Sequence, residues 1–205
     1  MLMRRIVFTL IAFSYVLYGF SQTHNLSPEA LENFKARCEE IVETFQHGLE
    51  IIGSKEQEKD VKQHYKKNVL KLFMGNGENY KDADGNIQPA VKMQVSSVRY
   101  NSVISKTDIR LKEYLNRLES LPYAEVKITK AQSCVISNLY KVGNRYEGTV
   151  TIFQYFSGRR GDGSFYKDKT QKNIKVYLLE EDDGVLGKYW ALKLGDIDVV
   201  ETVKL

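Results

Sequence analysis

Arg145-Tyr146-Glu147-Gly148-Thr149-Val150-Thr151-Ile152-Phe153-Gln154-Tyr155-Phe156-Ser157 alternates its character residue by residue. Val150 and Ile152 form one apolar row, and Phe153 and Tyr155 begin the other. Alternation of period two is the mark of a strand, because successive side chains leave opposite faces of the pleat. The same period runs from Tyr123 to the end of the chain and predicts strands near 124–140, 145–157, 165–180 and 188–203. Between them stand Val142-Gly143-Asn144, Arg160-Gly161-Asp162-Gly163 and Asp182-Asp183-Gly184. Each carries the Gly, Asn or Asp that a tight reversal requires. Strands joined by such short turns are antiparallel neighbours, so this half of the chain reads as a four-stranded meander. Gly195-Asp196 interrupts the last strand and predicts a bend or bulge there.

Upstream the period is helical. Ser27-Pro28-Glu29 offers a capping hydroxyl, a proline for the first turn and an acid at the positive end of the dipole. Leu31, Phe34, Cys38, Ile41, Phe45, Leu49 and Ile52 then recur every three or four residues until Gly53. Ser54 with Gln57 reads as the capping box of a second helix that carries Val61, Tyr65, Val69, Leu72 and Phe73. Val91, Met93 and Val95 predict a short strand. Thr107-Asp108 predicts the start of a third helix with Leu111, Tyr114, Leu115 and Leu118, closed by Pro122.

Hydrophobic residues make up 42% of the 205 and charged residues 27%, with only 14 Gly and 3 Pro. That composition excludes a disordered chain, a collagen-like fibre and a disulfide-stapled miniprotein. Residues 1–21 read as a signal peptide: Arg4-Arg5, an apolar run from Ile6 to Phe20, and small Gly19 and Ser21 before a cut. Residues 22–205 are then a single α+β domain, exported to the periplasm or the extracellular space, with no membrane span after cleavage. Arg4 and Arg5 supply two of the four net positive charges, so the mature chain is too nearly neutral for a nucleic-acid footprint. Lys66-Lys67 reads as part of a solvated helix face. Cys38 and Cys134 each occupy an apolar position and read as unpaired core thiols. His24, His47 and His64 have no zinc spacing, and neither metal nor cofactor is expected.

Helix, helix, short strand, helix and a four-stranded meander form an order that resembles the nuclear transport factor 2-like superfamily. That resemblance implies a cone in which N-terminal helices pack on a curved four-stranded antiparallel sheet; the alternative is a cystatin-like arrangement. It also implies an interior pocket, where members resembling ketosteroid isomerase or scytalone dehydratase carry out acid–base chemistry. An acid or imidazole pointing into the cone is therefore the feature that separates an enzyme from a binding module. Asp196 and Asp198 flank Ile197 and read as solvent-facing, and Asp168 between Lys167 and Lys169 reads as solvated. His47 and His64 read as helix-surface imidazoles, so no catalytic residue is assigned. Asp82-Ala83-Asp84-Gly85-Asn86 lacks the glycine and glutamate of a calcium loop and reads as a tight turn. Arg160-Gly161-Asp162 reads as a strand reversal.

Aromatic residues stand out, with 13 Tyr, 9 Phe and 1 Trp. Phe153, Tyr155, Tyr177 and Trp190 are assigned to one outer patch of the sheet, binding a ligand or partner, since a solvated outer face would carry polar residues. The alternative is a sheet curved enough to bury both faces. The reading is an exported, non-catalytic binding or assembly module that recognises a partner protein, a second copy of itself or a small apolar ligand. The alternative is a small isomerase- or hydratase-like enzyme with its active site inside the cone.

Overall fold

The computed structural model describes residues 25–82, 84–99, 102–130, 134–182, 184–185 and 187–205. The signal peptide expected at 1–21, His24, and Ala83 and Asp183 of two expected turns lie outside them. Helix α1 spans Pro28–Gly53, and the Ser27 side chain accepts the Ala30 N–H at 3.1 Å, as its capping sequence requires. Its stripe of Cys38, Val42, Phe45, Leu49 and Ile52 is buried throughout. Each large side chain removed from water in this way stabilises the fold by roughly 1.5–3 kcal/mol. Helix α2, Lys59–Lys71, begins later than the Ser54–Gln57 pattern predicts, because Ser54 spends its hydroxyl on the nearby Glu56 N–H. The two helices approach closely at Gly48, where a β-carbon would sit 2.3 Å from Val69.

The four-stranded expectation is corrected by the sheet itself, which has eight strands among the described residues. A separate two-stranded ribbon pairs β1, Tyr80–Lys81, with β2, Ile87–Gln88. The large sheet contains β3 (Lys92–Arg99), β4 (Ser102–Arg110), β5 (Glu125–Lys130), β6 (Val135–Ile136), β7 (Tyr140–Val142), β8 (Arg145–Arg159), β9 (Phe165–Asp182) and β10 (Lys188–Lys204). Its order is β4-β3-β10-β9-β8-β5, with β6 and β7 also pairing β8. The strand expected over 124–140 is thus three short pieces along one long neighbour, and Cys134 lies before β6 rather than inside a continuous strand.

The short strand expected at Val91, Met93 and Val95 is β3, which runs on to Arg99, while β4 escapes the sequence reading because Ser102, Ser105, Lys106 and Thr107 give it little apolar alternation. Thr107 and Asp108 belong to β4, opposite Val95 and Gln94, so helix α3 starts only at Leu111 and runs to Glu119. The expected irregularity at Gly195 is present: register between β10 and β9 shifts from Leu194 to Ile197. There a β-carbon on Gly195 would come within 2.4 Å of the Tyr177 ring, so only glycine fits. The pairing of β3 with β10 is parallel, through Ile197 and Met93. The Ser96 hydroxyl meets that of Thr202 at 2.6 Å across the same junction.

Even-numbered residues of β8 and β9 face the helices, and Val150, Ile152, Ile174, Val176 and Leu178 join the α1 stripe in one core. Helix α2 docks on β10 through the Leu194 N–H donated to the Leu72 carbonyl at 2.8 Å. No helix among the described residues is long and apolar enough to cross a membrane.

Lys66 is buried, not solvated, which corrects the reading of Lys66-Lys67. Its ammonium donates to Asn116 Oδ1 at 2.8 Å and to Glu119 Oε2, joining α2 to α3. That hydrogen bond holds the Glu119 carboxyl below the usual carboxylate range. A depressed carboxyl stabilises the fold above its unfolded pKa, and the contribution fades as pH falls through the folded value. Glu119→Gln should therefore cost about 2 kcal/mol at neutral pH, since it leaves a buried ammonium without its counter-charge. Urea unfolding from pH 7 to pH 3 checks this: the gap between wild type and variant should close in acid, and a constant gap contradicts it.

Candidate active site

The alternation that shapes β9 also aims Tyr166, Asp168, Thr170 and Lys172 toward the helices, in step with Ile174 and Val176. Lys167 and Lys169 leave by the opposite face. Asp168 is therefore turned inward, which corrects the reading of a solvated stretch around it. These four residues line a cavity of about 520 Å³. Its other walls include β3, Tyr114, Arg117 and Leu118 of α3, Tyr123 after that helix, and Gln154 and Phe156 of β8. That volume suits a small organic molecule.

Lys172 is 6% exposed. Its ammonium donates to Gln154 Oε1 at 3.0 Å and stands 5.8 Å from the centre of the Tyr114 ring. Among the described residues it has no ion pair with a carboxylate. Burial disfavours the charged form and lowers its pKa to about 8, while the charge of Asp168 resists that shift. Burial pushes the Asp168 carboxyl above its ordinary value, against hydrogen bonds from the Tyr166 and Thr170 hydroxyls and the pull of Lys172. The Thr170 hydroxyl donates to Asp168 Oδ1 at 3.2 Å. Tyr166 is raised by burial and by the Asp168 charge it faces, and burial pushes Tyr114 up to about 12. The site thus holds an amine pulled toward neutrality, a carboxyl pulled toward protonation and two phenols that stay protonated. Burial thus moves an amine and a carboxyl in one cavity toward their neutral forms, the direction in which sites tune general acids and bases.

The four residues assigned to an outer patch are not brought together. Trp190 shares the helix-facing side with Leu192 and packs edge-on against buried Tyr146, ring centres 5.4 Å apart. Phe153 and Tyr155 do lie on the outer face, where Lys169 stands over both rings at 4.7 and 5.8 Å. Tyr177 pairs with Glu147, six residues along β8 from Phe153, which is about 20 Å at strand rise. Between them the face is polar, with the Thr151 hydroxyl donating to Asn173 Oδ1 at 2.8 Å. The aromatic count misled because it ignored the parity of Trp190 and the threonines between the other rings.

A larger cavity of about 710 Å³ lies where the β1–β2 ribbon meets the ends of β8 and β9. Several of its charges are already paired: Arg145 pairs with Glu147 at 2.6 Å and stacks on Tyr177, and Asp196 accepts from the Lys92 N–H and from Lys175. Asp82 turns its carboxylate onto its own loop, accepting from Asp84, Asn86 and Gln88. Asp162 similarly caps the Ser164 N–H at 2.8 Å in the Arg160–Gly163 reversal. His47 lies near Glu50 on an exposed helix face, and His64 meets Asn68. Chemistry concentrates in the smaller cavity.

No family model and no curated protein matches the chain. Among solved structures it is similar to a hexachlorocyclohexane dehydrochlorinase (LinA, type 2), at 10% identity and a TM-score of 0.40, over 85% of this chain and 93% of that one. A likeness of that size leaves fold and function to be argued from the chain's own residues.

A lysine with a depressed pKa binds fewer protons folded than unfolded between about pH 8 and 10.5, so stability rises with pH across that window. Below it the buried charge costs about 3 kcal/mol. Lys172→Met removes that cost, and the variant should be more stable than wild type at pH 7, by about 1–3 kcal/mol. The advantage should shrink toward pH 10.5. Paired urea titrations at several pH values read both effects, and parallel stability curves contradict them.

Proposed function

We propose that the chain is a small exported enzyme with a nuclear transport factor 2-like cone, carrying out isomerase- or hydratase-like acid–base chemistry on a small molecule. One observation carries the reading: Asp168, Tyr166 and Lys172 line the same half-open cavity. An inward acid is the feature that favours an enzyme over a passive binding module, and a buried lysine without a carboxylate partner lowers stability, a cost typical of residues kept for function. The signal peptide read at residues 1–21 supports a periplasmic or extracellular address.

Lys172, as the free amine, accepts a proton from carbon beside a carbonyl or from an attacking water. The Asp168 carboxyl, or the Tyr166 hydroxyl bonded to it, gives a proton to the oxygen where charge develops. Phe156, Tyr123 and Val95 offer the apolar body of the substrate its surroundings. The small-ligand part of the sequence reading is thereby kept. A partner surface on the outer sheet has less support, because threonines and charges separate its rings.

Deuterium uptake from heavy water into a panel of small ketones and enones, followed by proton NMR, tests the proposal. Wild type should exchange at least one of them about a hundredfold faster than Lys172→Met or Asp168→Asn. The rate should rise through about pH 8 as Lys172 loses its proton. Equal rates for wild type and both folded variants across the panel sink the reading.

A further inference from the structure

The side chain that supplies a base to this cavity also carries its strongest nucleophile. We propose that Lys172 forms a reversible imine with the carbonyl carbon of a small aldehyde or ketone held in the cavity, and that Asp168 is the acid that releases water. The inference rests on the acid–base reading for its location and goes beyond it in the bond formed.

Geometry supports it from three sides. Asp168, Thr170 and Lys172 are alternate residues of one strand, so all three project to the same face, and all line the cavity. Gln154 accepts one hydrogen bond from the Lys172 nitrogen and anchors it, and no carboxylate ties the amine up as an ion pair. The Asp168 carboxyl is held by the Thr170 hydroxyl at 3.2 Å and by Tyr166, within electrostatic reach of Lys172.

The step balances without any further reactant. The nitrogen lone pair adds to the carbonyl carbon, and the carbonyl π electrons move to oxygen. A proton passes from nitrogen to that oxygen, giving a carbinolamine. The Asp168 carboxyl then protonates the hydroxyl, the carbon–oxygen bond breaks, and water leaves. A protonated imine and an aspartate remain, and hydrolysis retraces the path.

With a pKa of about 8, about a tenth of Lys172 is free amine at pH 7, against about 0.03% of a lysine at 10.5. That is an advantage of about 300-fold in reactive form. Full-length protein is treated at pH 7 with limiting benzaldehyde or cyclohexanone and cyanoborohydride, which reduces an imine to a stable amine. Peptide mapping then locates the adduct. Lys172 should be labelled about a hundredfold faster than exposed Lys127 or Lys167. Lys172→Met should lose that adduct with its circular dichroism unchanged, and Asp168→Asn should slow it about tenfold or more. Adducts spread over exposed lysines with Lys172 unmodified overturn the imine. If deuterium uptake still depends on Lys172 in that case, the acid–base reading survives and only the covalent step falls. Stabilisation of wild type by benzoate, absent in Lys172→Met and without any aldehyde adduct, likewise overturns the imine and leaves an anion seat.

Discussion

The antiparallel pairing of β8 with β9, continuous from Arg145 opposite Leu179 to Arg159 opposite Phe165, decides what every other part of the molecule can do. Side chains on paired strands alternate strictly, so this one register sorts residues between the helices and the outer face. It places Ile152, Ile174 and Val176 under α1, and it places Asp168, Thr170 and Lys172 in the cavity. A slip by one residue would exchange Lys172 for Gln171 or Asn173 and turn Lys167 and Lys169 inward. The apolar residues police that register. Burying Ile174 and Val176 is favourable only in the phase that also buries Lys172, so hydrophobic burial offsets the cost of the charge.

Much of the architecture is legible because local chemistry and global packing agree. The Ser27 cap, the α1 stripe, the turns at Gly143 and Gly163 and the bulge at Gly195 each follow from a few neighbouring residues. The parallel junction of β3 with β10 is not local: Met93 and Ile197 are distant in sequence, and nothing near either one announces the other. Strand β4 was missed because its serines and lysine have no apolar rhythm. The mixed α+β character was therefore readable, and the number of strands was not.

The face that lines the cavity is legible in the sequence of β9. Counting back by twos from Ile174 through Lys172 and Thr170 to Asp168 and Tyr166 gives one face, by the rule already used to find the strand. Charge was allowed to outvote parity, since lysine and aspartate are usually outside. Lys66 shows the same error on a helix, where its neighbours Asn116 and Glu119 come from an element no local pattern connects to it. The aromatic patch failed in the opposite sense: residue type was counted across strands without asking which rings share a face.

The Lys66 bridge has a consequence for motion. Helix α3 and the segment behind it form one wall of the cavity, and Lys55 adds hydrogen bonds to the carbonyls of Glu119 and Leu121 at 3.1 and 2.8 Å. Helix α2 is in turn fastened to β10, through Leu72 to Leu194 and through Lys193 to the Lys71 carbonyl. Strand β10 pairs along the strand that carries Lys172. The wall and the reactive side chain are thus tied through one relay of hydrogen bonds, so this wall cannot swing out as an independent flap. Peeling α3 away means releasing α2 first, which makes it part of a larger cooperative unit whose opening is rare. Among the described residues the opposite side of the cavity is bounded by β3, next to β4 at the end of the sheet, and that side carries no such relay of side-chain hydrogen bonds to hold it to the helices.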